Sequence, residues 1–120
     1  RNPINLVLDT KTMLQSLERV SVVISEKLKS PVRCLFEDNK VTMSAKTANG
    51  DAKDVCRIAG DGQGLEIGFN NRYLMDALRY APADTVKMEL NTGISPAIIV
   101  PVEGEENFLY MVLPVRLKAN

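Results

Sequence analysis

The sequence predicts an α+β domain made of two pseudo-repeated β-α-β-β-β units, with two helices packed side by side on a β layer. Three observations carry this. Short runs in which apolar residues alternate are interrupted twice by stretches with helical spacing. Residues 9–17 lie over residues 70–78 at an offset of 61, from Asp9 to Asn70, with a cap residue, a basic residue and an apolar triplet coinciding. Downstream, Val32-Arg33-Cys34 lies over Val86-Lys87-Met88 at an offset of 54, the shorter second helix and its linker absorbing the difference. A single copy could not cover the apolar face of its own sheet, so the two must pair.

The elements follow in order. Residues 4–8 alternate as a strand and run into Asp9-Thr10, residue types that cap helices by accepting from free backbone N–H groups. Met13, Leu14, Leu17, Val20, Ser21 and Ile24 then recur at helical spacing, with Lys11, Gln15, Glu18 and Arg19 opposite. The spacing predicts an amphipathic helix of about four turns, from Lys11 to near Ile24. After Ser30-Pro31, residues 32–37 and 40–46 flank Asp38-Asn39 as a hairpin, and residues 47–51 form a second turn before a strand over 53–59. The second copy begins with a strand over 65–69 and an Asn70-Asn71 cap. Tyr73, Leu74, Met75, Ala77 and Leu78 form the apolar side of a helix that Pro82 stops. Strands over 85–91, 97–102 and 108–115 complete it, separated by Thr92-Gly93 and by an acidic turn around Gly104.

Composition bounds the function. The chain has 120 residues, 13.3 kDa, with 15 basic and 15 acidic side chains and no His. That suits one globular domain over residues 1–120 and argues against extended disorder, collagen and coiled coil. No apolar run approaches the roughly 20 residues that span a bilayer, so no membrane association and a cytoplasmic setting are expected. Arg1-Asn2-Pro3 has neither an initiating Met nor an apolar signal, and reads as the start of an excised or processed piece. Zero net charge removes the simplest case for a free-standing nucleic-acid binder, which needs clustered Lys and Arg to release counterions. Without His, no Ser-His or Cys-His nucleophile pair can be built, and no catalytic residue is assigned.

The remaining motifs are read as structural. Residues 60–64, Gly-Asp-Gly-Gln-Gly, lead into a strand, whereas a phosphate loop must lead into a helix N-terminus. Glu37-Asp38-Asn39 and the cluster Glu103, Glu105 and Glu106 read as solvated turns. Cys34 and Cys56 sit in apolar stretches without CxxC spacing and are expected to be buried free thiols, a disulfide or metal site being the alternative. No cofactor and no metal are expected.

The duplicated unit resembles a known family through Leu65-Glu66-Ile67-Gly68-Phe69-Asn70 leading into Tyr73-Leu74, and through the closing run Tyr110-Met111-Val112-Leu113-Pro114-Val115-Arg116-Leu117. That family is the bacterial DNA polymerase III beta subunit, the beta sliding clamps. The resemblance is to the third, C-terminal domain and covers essentially the whole chain. It implies the DNA-clamp fold and a non-catalytic processivity factor. Three such domains make a subunit, and two subunits close as a homodimer ring around duplex DNA, held topologically and without sequence preference. About two-thirds of a subunit would then lie outside this sequence.

The resemblance also implies site residues and partners. Lys11, Arg72 and Arg79 would face DNA from the helices. A groove for clamp-binding peptides would take Asn70, Tyr73, Ile94, Pro96, Met111, Val112, Leu113, Pro114, Val115 and Arg116 from this domain. Its ligands would be the DNA polymerase III catalytic subunit, the clamp loader and other clamp-motif replication and repair proteins. Val22 and Val23 would belong to the head-to-tail subunit junction, where strands pair across the join. Apart from the family, Leu, Val and Met side chains beside Tyr73 make an adaptable apolar pocket, and Pro114 cannot donate to a ladder. The rival reading is a stand-alone α+β small-ligand-binding or enzyme accessory domain whose Tyr73 and Pro114 pocket holds a metabolite.

Overall fold

Two capping side chains set where the strands turn into helices. In the computed structural model, which describes residues 4–24, 30–81, 83–102 and 108–117, β1 (Ile4–Asp9) passes directly into α1 (Thr10–Val20). The Asp9 carboxylate accepts from the Thr12 backbone N–H at 2.9 Å and from its hydroxyl at 2.6 Å. The equivalent position of the second copy does the same. β5 (Leu65–Phe69) is followed by Asn70, whose side-chain oxygen accepts from the Arg72 and Tyr73 backbone N–H groups to open α2 (Asn71–Arg79). Met13, Ser16 and Leu17 are buried in α1, and Leu74, Ala77 and Leu78 in α2, so the buried stripe repeats at the offset of 61.

Each helix is followed by a three-stranded antiparallel meander. The first comprises β2 (Val32–Glu37), β3 (Lys40–Thr47) and β4 (Gly50–Arg57), and the second β6 (Thr85–Leu90), β7 (Ala97–Pro101) and β8 (Tyr110–Val112). A last short strand, β9 (Pro114–Val115), closes the described chain. The copies exchange their first strands. β1 pairs with β6, giving a sheet ordered β1-β6-β7-β8, and β5 pairs with β2, giving β4-β3-β2-β5-β9. The two offsets that define the repeat connect the registers. Ile4 faces Leu90 in one sheet, and Leu65 with Phe36, their equivalents at 61 and 54, face each other in the other. Leu8 with Val86 and Phe69 with Val32 correspond in the same way.

The helices pack against each other on one side of this sheeted layer, α1 over β1, β3 and β4 and α2 against β8. Between them lies one core that includes Phe36, Phe69, Leu17, Leu74, Met88 and Ile99, each contributing about 1.5–3 kcal/mol on full burial. Paired backbone bonds between Val7 and Ala59, 2.9 and 2.7 Å long, tie the two sheets together. Along the loop that follows, Gly62 packs so tightly that an added Cβ would stand 2.2 Å from Phe36 Cβ. The 60–64 segment is thus a loop between β4 and β5, pressed on the core. At Asp38 and Asn39 both φ angles are positive, 54° and 59°, the mirror-type turn that matches strand twist in a two-residue hairpin. Cys34 and Cys56 are free and buried, and desolvation pushes the Cys34 thiol up to about 12.

Several boundaries differ from the expectation: the strand expected over 53–59 runs over 50–57, with Ala59 bridging to Val7 instead, and those expected over 85–91 and 97–102 each end one residue early. α1 ends at Val20 rather than near Ile24, and Ser21–Val23 form a 3-10 turn. The β-branched run Val22-Val23-Ile24 loses side-chain rotamers in a helix, which favours stopping there. The turn expected over 47–51 contracts to Ala48-Asn49, since Thr47 already pairs with Gly50. The single strand expected over 108–115 is two strands in different sheets. Met111 pairs with Ile98 at the edge of one, and Pro114 pairs with Phe69 at the edge of the other. Leu113 is the residue at which the chain crosses, and Pro114 opens the new strand instead of ending the old one. Pro82, the Gly104 turn with Glu103, Glu105 and Glu106, and the termini lie outside the described residues.

Candidate functional site

Three surfaces collect the residues singled out by sequence. The first forms where the chain changes sheets. Phe69, the last residue of β5, faces Pro114, so Leu113 and Pro114 lie beside Asn70 and the first turn of α2, which carries Tyr73. On the other side Ala97 faces Val112, which places Pro96 and Leu113 one step further along the same two strands. Ile94 stands in the loop before Pro96, where the Thr92 hydroxyl accepts from its backbone N–H at 3.2 Å and meets the Ser95 hydroxyl at 2.7 Å. Tyr73, Ile94, Met111 and Leu113 are all exposed, at 60, 71, 53 and 65%. Large apolar side chains are thus left exposed around one crossing, where exposure of that kind costs solvation unless something covers it.

The other members of the expected groove differ in what they can offer. Pro96, Pro114 and Val115 are half-buried, and Arg116 is exposed at the rim. Val112 is 2% exposed and turned into the core, so it supports its neighbours and presents no side chain of its own. Asn70 is committed through its oxygen to capping α2. Leu109, 60% exposed two residues before Met111, extends the apolar row along β8 and was not singled out by sequence. Its signal was there in the alternation of Leu109, Met111 and Leu113 on one strand face.

The second surface is the exposed side of the helix pair. It carries Lys11 and Arg19 with Glu18 on α1, and Arg72 and Arg79 with Asp76 on α2, so each helix has one more cation than carboxylate. Lys11 and Arg72 occupy equivalent positions near the two helix starts, where no acidic residue is present. Arg79 is shared between Asp76 and Glu18, each at 3.5 Å. Glu18 and Arg79 are themselves equivalent at the offset of 61, so opposite charges meet where the two copies face each other. Arg79 therefore lies on the helix face, already balanced by carboxylates.

The third surface is the outer edge of β4, which has no neighbouring strand within the described residues. The 3-10 turn after α1 packs beside it. Val22 is 77% exposed, whereas Val23 is half-buried against the core and its carbonyl accepts from the Thr47 hydroxyl at 2.7 Å. Val20 is buried, and Ile24 packs on the core. Along β4, Val55 is half-exposed among Asp51, Lys53 and Arg57. Sequence gave no sign of the partner of Asp54, because Arg19 reaches it at 2.9 Å from 35 residues away. Among the described residues no group of three His, Cys, Asp or Glu could hold a metal ion, and no helix is long and apolar enough to cross a membrane.

Residues 2–116 match the model of the DNA polymerase III beta subunit, C-terminal domain. The chain belongs to this family. A beta sliding clamp from Synechocystis is 32% identical to it, over 93% of this chain but 29% of the relative's length. Among solved structures, the DNA polymerase III beta subunit of Thermotoga maritima superposes with a TM-score of 0.88 at 28% identity, covering 98% of this chain and 32% of that one. A sliding clamp from Bartonella birtlesii bound to griselimycin gives 0.83 at 26% identity, covering 97% and 31%. The α+β architecture is thus that of a sliding-clamp domain, and a stand-alone ligand-binding or accessory domain is not favoured. The chain spans about a third of the relatives it matches.

Proposed function

We propose that this chain acts as the third domain of a DNA sliding clamp, a non-catalytic processivity factor in the cytoplasm. In this reading a homodimer ring encircles duplex DNA and tethers the DNA polymerase III catalytic subunit, the clamp loader and other clamp-motif replication and repair proteins. The observation that carries it is the apolar cluster at the sheet crossing. Tyr73, Ile94, Met111 and Leu113 are exposed together in a chain whose other large apolar residues are mostly buried. An extended peptide with Leu and Phe anchors fits such a surface, the anchors taking most of the affinity and Arg116 meeting polar groups at the rim.

The helix face fits loose contact with DNA. Basic residues on both helices, Lys11 and Arg72 near the helix starts and Arg79 with its carboxylates further along, supply sequence-independent attraction weak enough to permit sliding. Val22 and the β4 edge fit the ring junction, since an open strand edge beside an exposed apolar side chain favours pairing with another strand. Val23, next to it in the 3-10 turn, is half-buried against the core.

The test is a titration of the complete subunit with a clamp-motif peptide, followed by amide shifts in this domain. Shifts at Tyr73, Ile94, Met111, Leu113 and Arg116, competed by griselimycin, are expected. Shifts confined to the helix face around Lys11 and Arg72 would overturn the groove assignment.

A further inference from the structure

A polar link ties the edge strand β4 to the helix layer. Nη2 of Arg19, in the last turn of α1, donates to the Asp54 carboxylate at 2.9 Å and to the Ser16 hydroxyl at 3.2 Å. Ser16 is fully buried one turn back on the same helix, so the guanidinium is anchored from below as well as across. Three residues beyond Arg19 the helix has ended and Val22 projects into solvent, beside the same strand. The link therefore joins two features that must be in fixed relation for a strand to pair with β4 while an apolar residue seats on Val22. The second copy carries Tyr80 where the first has Arg19.

We infer that Arg19, through Ser16 and Asp54, is a positioning residue that sets the β4 edge and Val22 as one preorganised junction surface. This rests on the reading of that edge as the subunit junction. The Arg19 side chain is 60% exposed and Asp54 26%, so the pair adds little to folding in itself. Its effect is on the geometry of a surface that only a second subunit uses, and preorganisation of that kind lowers the ordering cost of association.

The experiment measures dimer dissociation of the complete subunit by subunit exchange, together with the thermal midpoint of the 120-residue domain. R19Q and D54N are each expected to weaken the dimer by about three- to fivefold, and the double variant by no more than either alone. The domain midpoint should move by less than about 2 °C in all three. E66Q, which removes a comparable ion pair with Arg33 at 3.2 Å between interior strands of the same sheet, should leave dissociation unchanged. V22E tests the junction itself and should abolish the dimer. If V22E abolishes it while R19Q and D54N dissociate like the parent, the positioning role is overturned and the junction reading stands. An effect of E66Q as large as theirs also overturns it, and an intact dimer with V22E overturns both.

Discussion

Leu113 and Val112 are neighbours in sequence whose replacement by alanine should separate peptide binding from stability. Leu113 is 65% exposed, so only about a third of its side chain contributes to folding. Full burial of a leucine stabilises by about 1.5–3 kcal/mol, which puts the folding cost of Leu113→Ala at roughly 0.5–1 kcal/mol. As a pocket anchor its loss should cost binding about 1–2 kcal/mol, or roughly 5- to 30-fold in Kd. Val112 is 2% exposed beneath it. Val112→Ala removes two buried methyl groups and leaves a cavity, costing about 2 kcal/mol of stability and leaving the outward surface in place. For a domain of this size that is a fall in Tm of about 8 °C, against about 2–4 °C for Leu113→Ala. Calorimetric titration of the complete subunit with a Leu- and Phe-anchored peptide, beside thermal unfolding of the domain, reads both quantities. A Leu113→Ala variant that binds normally but unfolds much earlier would refute the assignment of this side chain to a recognition surface.

Further outcomes follow from particular contacts. Gly68→Ala would bring a Cβ to 2.5 Å from Leu117 Cδ2 and 2.7 Å from the Val115 carbonyl, so β9 must move; a cost of about 1–3 kcal/mol and weakened peptide binding are expected, read by urea unfolding and titration. Acid should destabilise the domain through Asp9 and, by a small amount, through Asp54. Thr12 holds the first, and Arg19 with Ser16 the second, below their ordinary value of 3.8, so their stabilisation is present above that value and is lost as pH falls through the lowered ones. Asp9→Asn, which keeps a good cap, should flatten the acid side of the stability profile with little change at neutral pH. Cys34, whose thiol burial pushes up to about 12, should resist alkylation in the native protein and react only on unfolding, as followed by mass spectrometry over a urea series.

Local chemistry was enough to determine the repeat. The capping residues Asp9 and Asn70, the apolar residues Met13, Leu17, Leu74, Ala77 and Leu78, and the Asp38-Asn39 turn all act within a few residues of themselves, so their pattern survives in one dimension. The proposal that the closing run serves a recognition surface rests on resemblance, while its apolar alternation is legible in the sequence itself. What tertiary structure alone decided is which strands pair and which side of a residue faces water. Alternation cannot say that β1 leaves its own copy to pair with β6, because the apolar face it presents suits either meander. Nor can it divide residues 108–115 between two sheets at Leu113, since Tyr110 to Val115 reads as one strand until Phe69 claims Pro114. Charge behaves likewise. Arg19 and Arg79 look alike on their helices, yet one is drawn to Asp54 on the edge strand and the other to Glu18 on the neighbouring helix, distances that only the folded chain brings within reach.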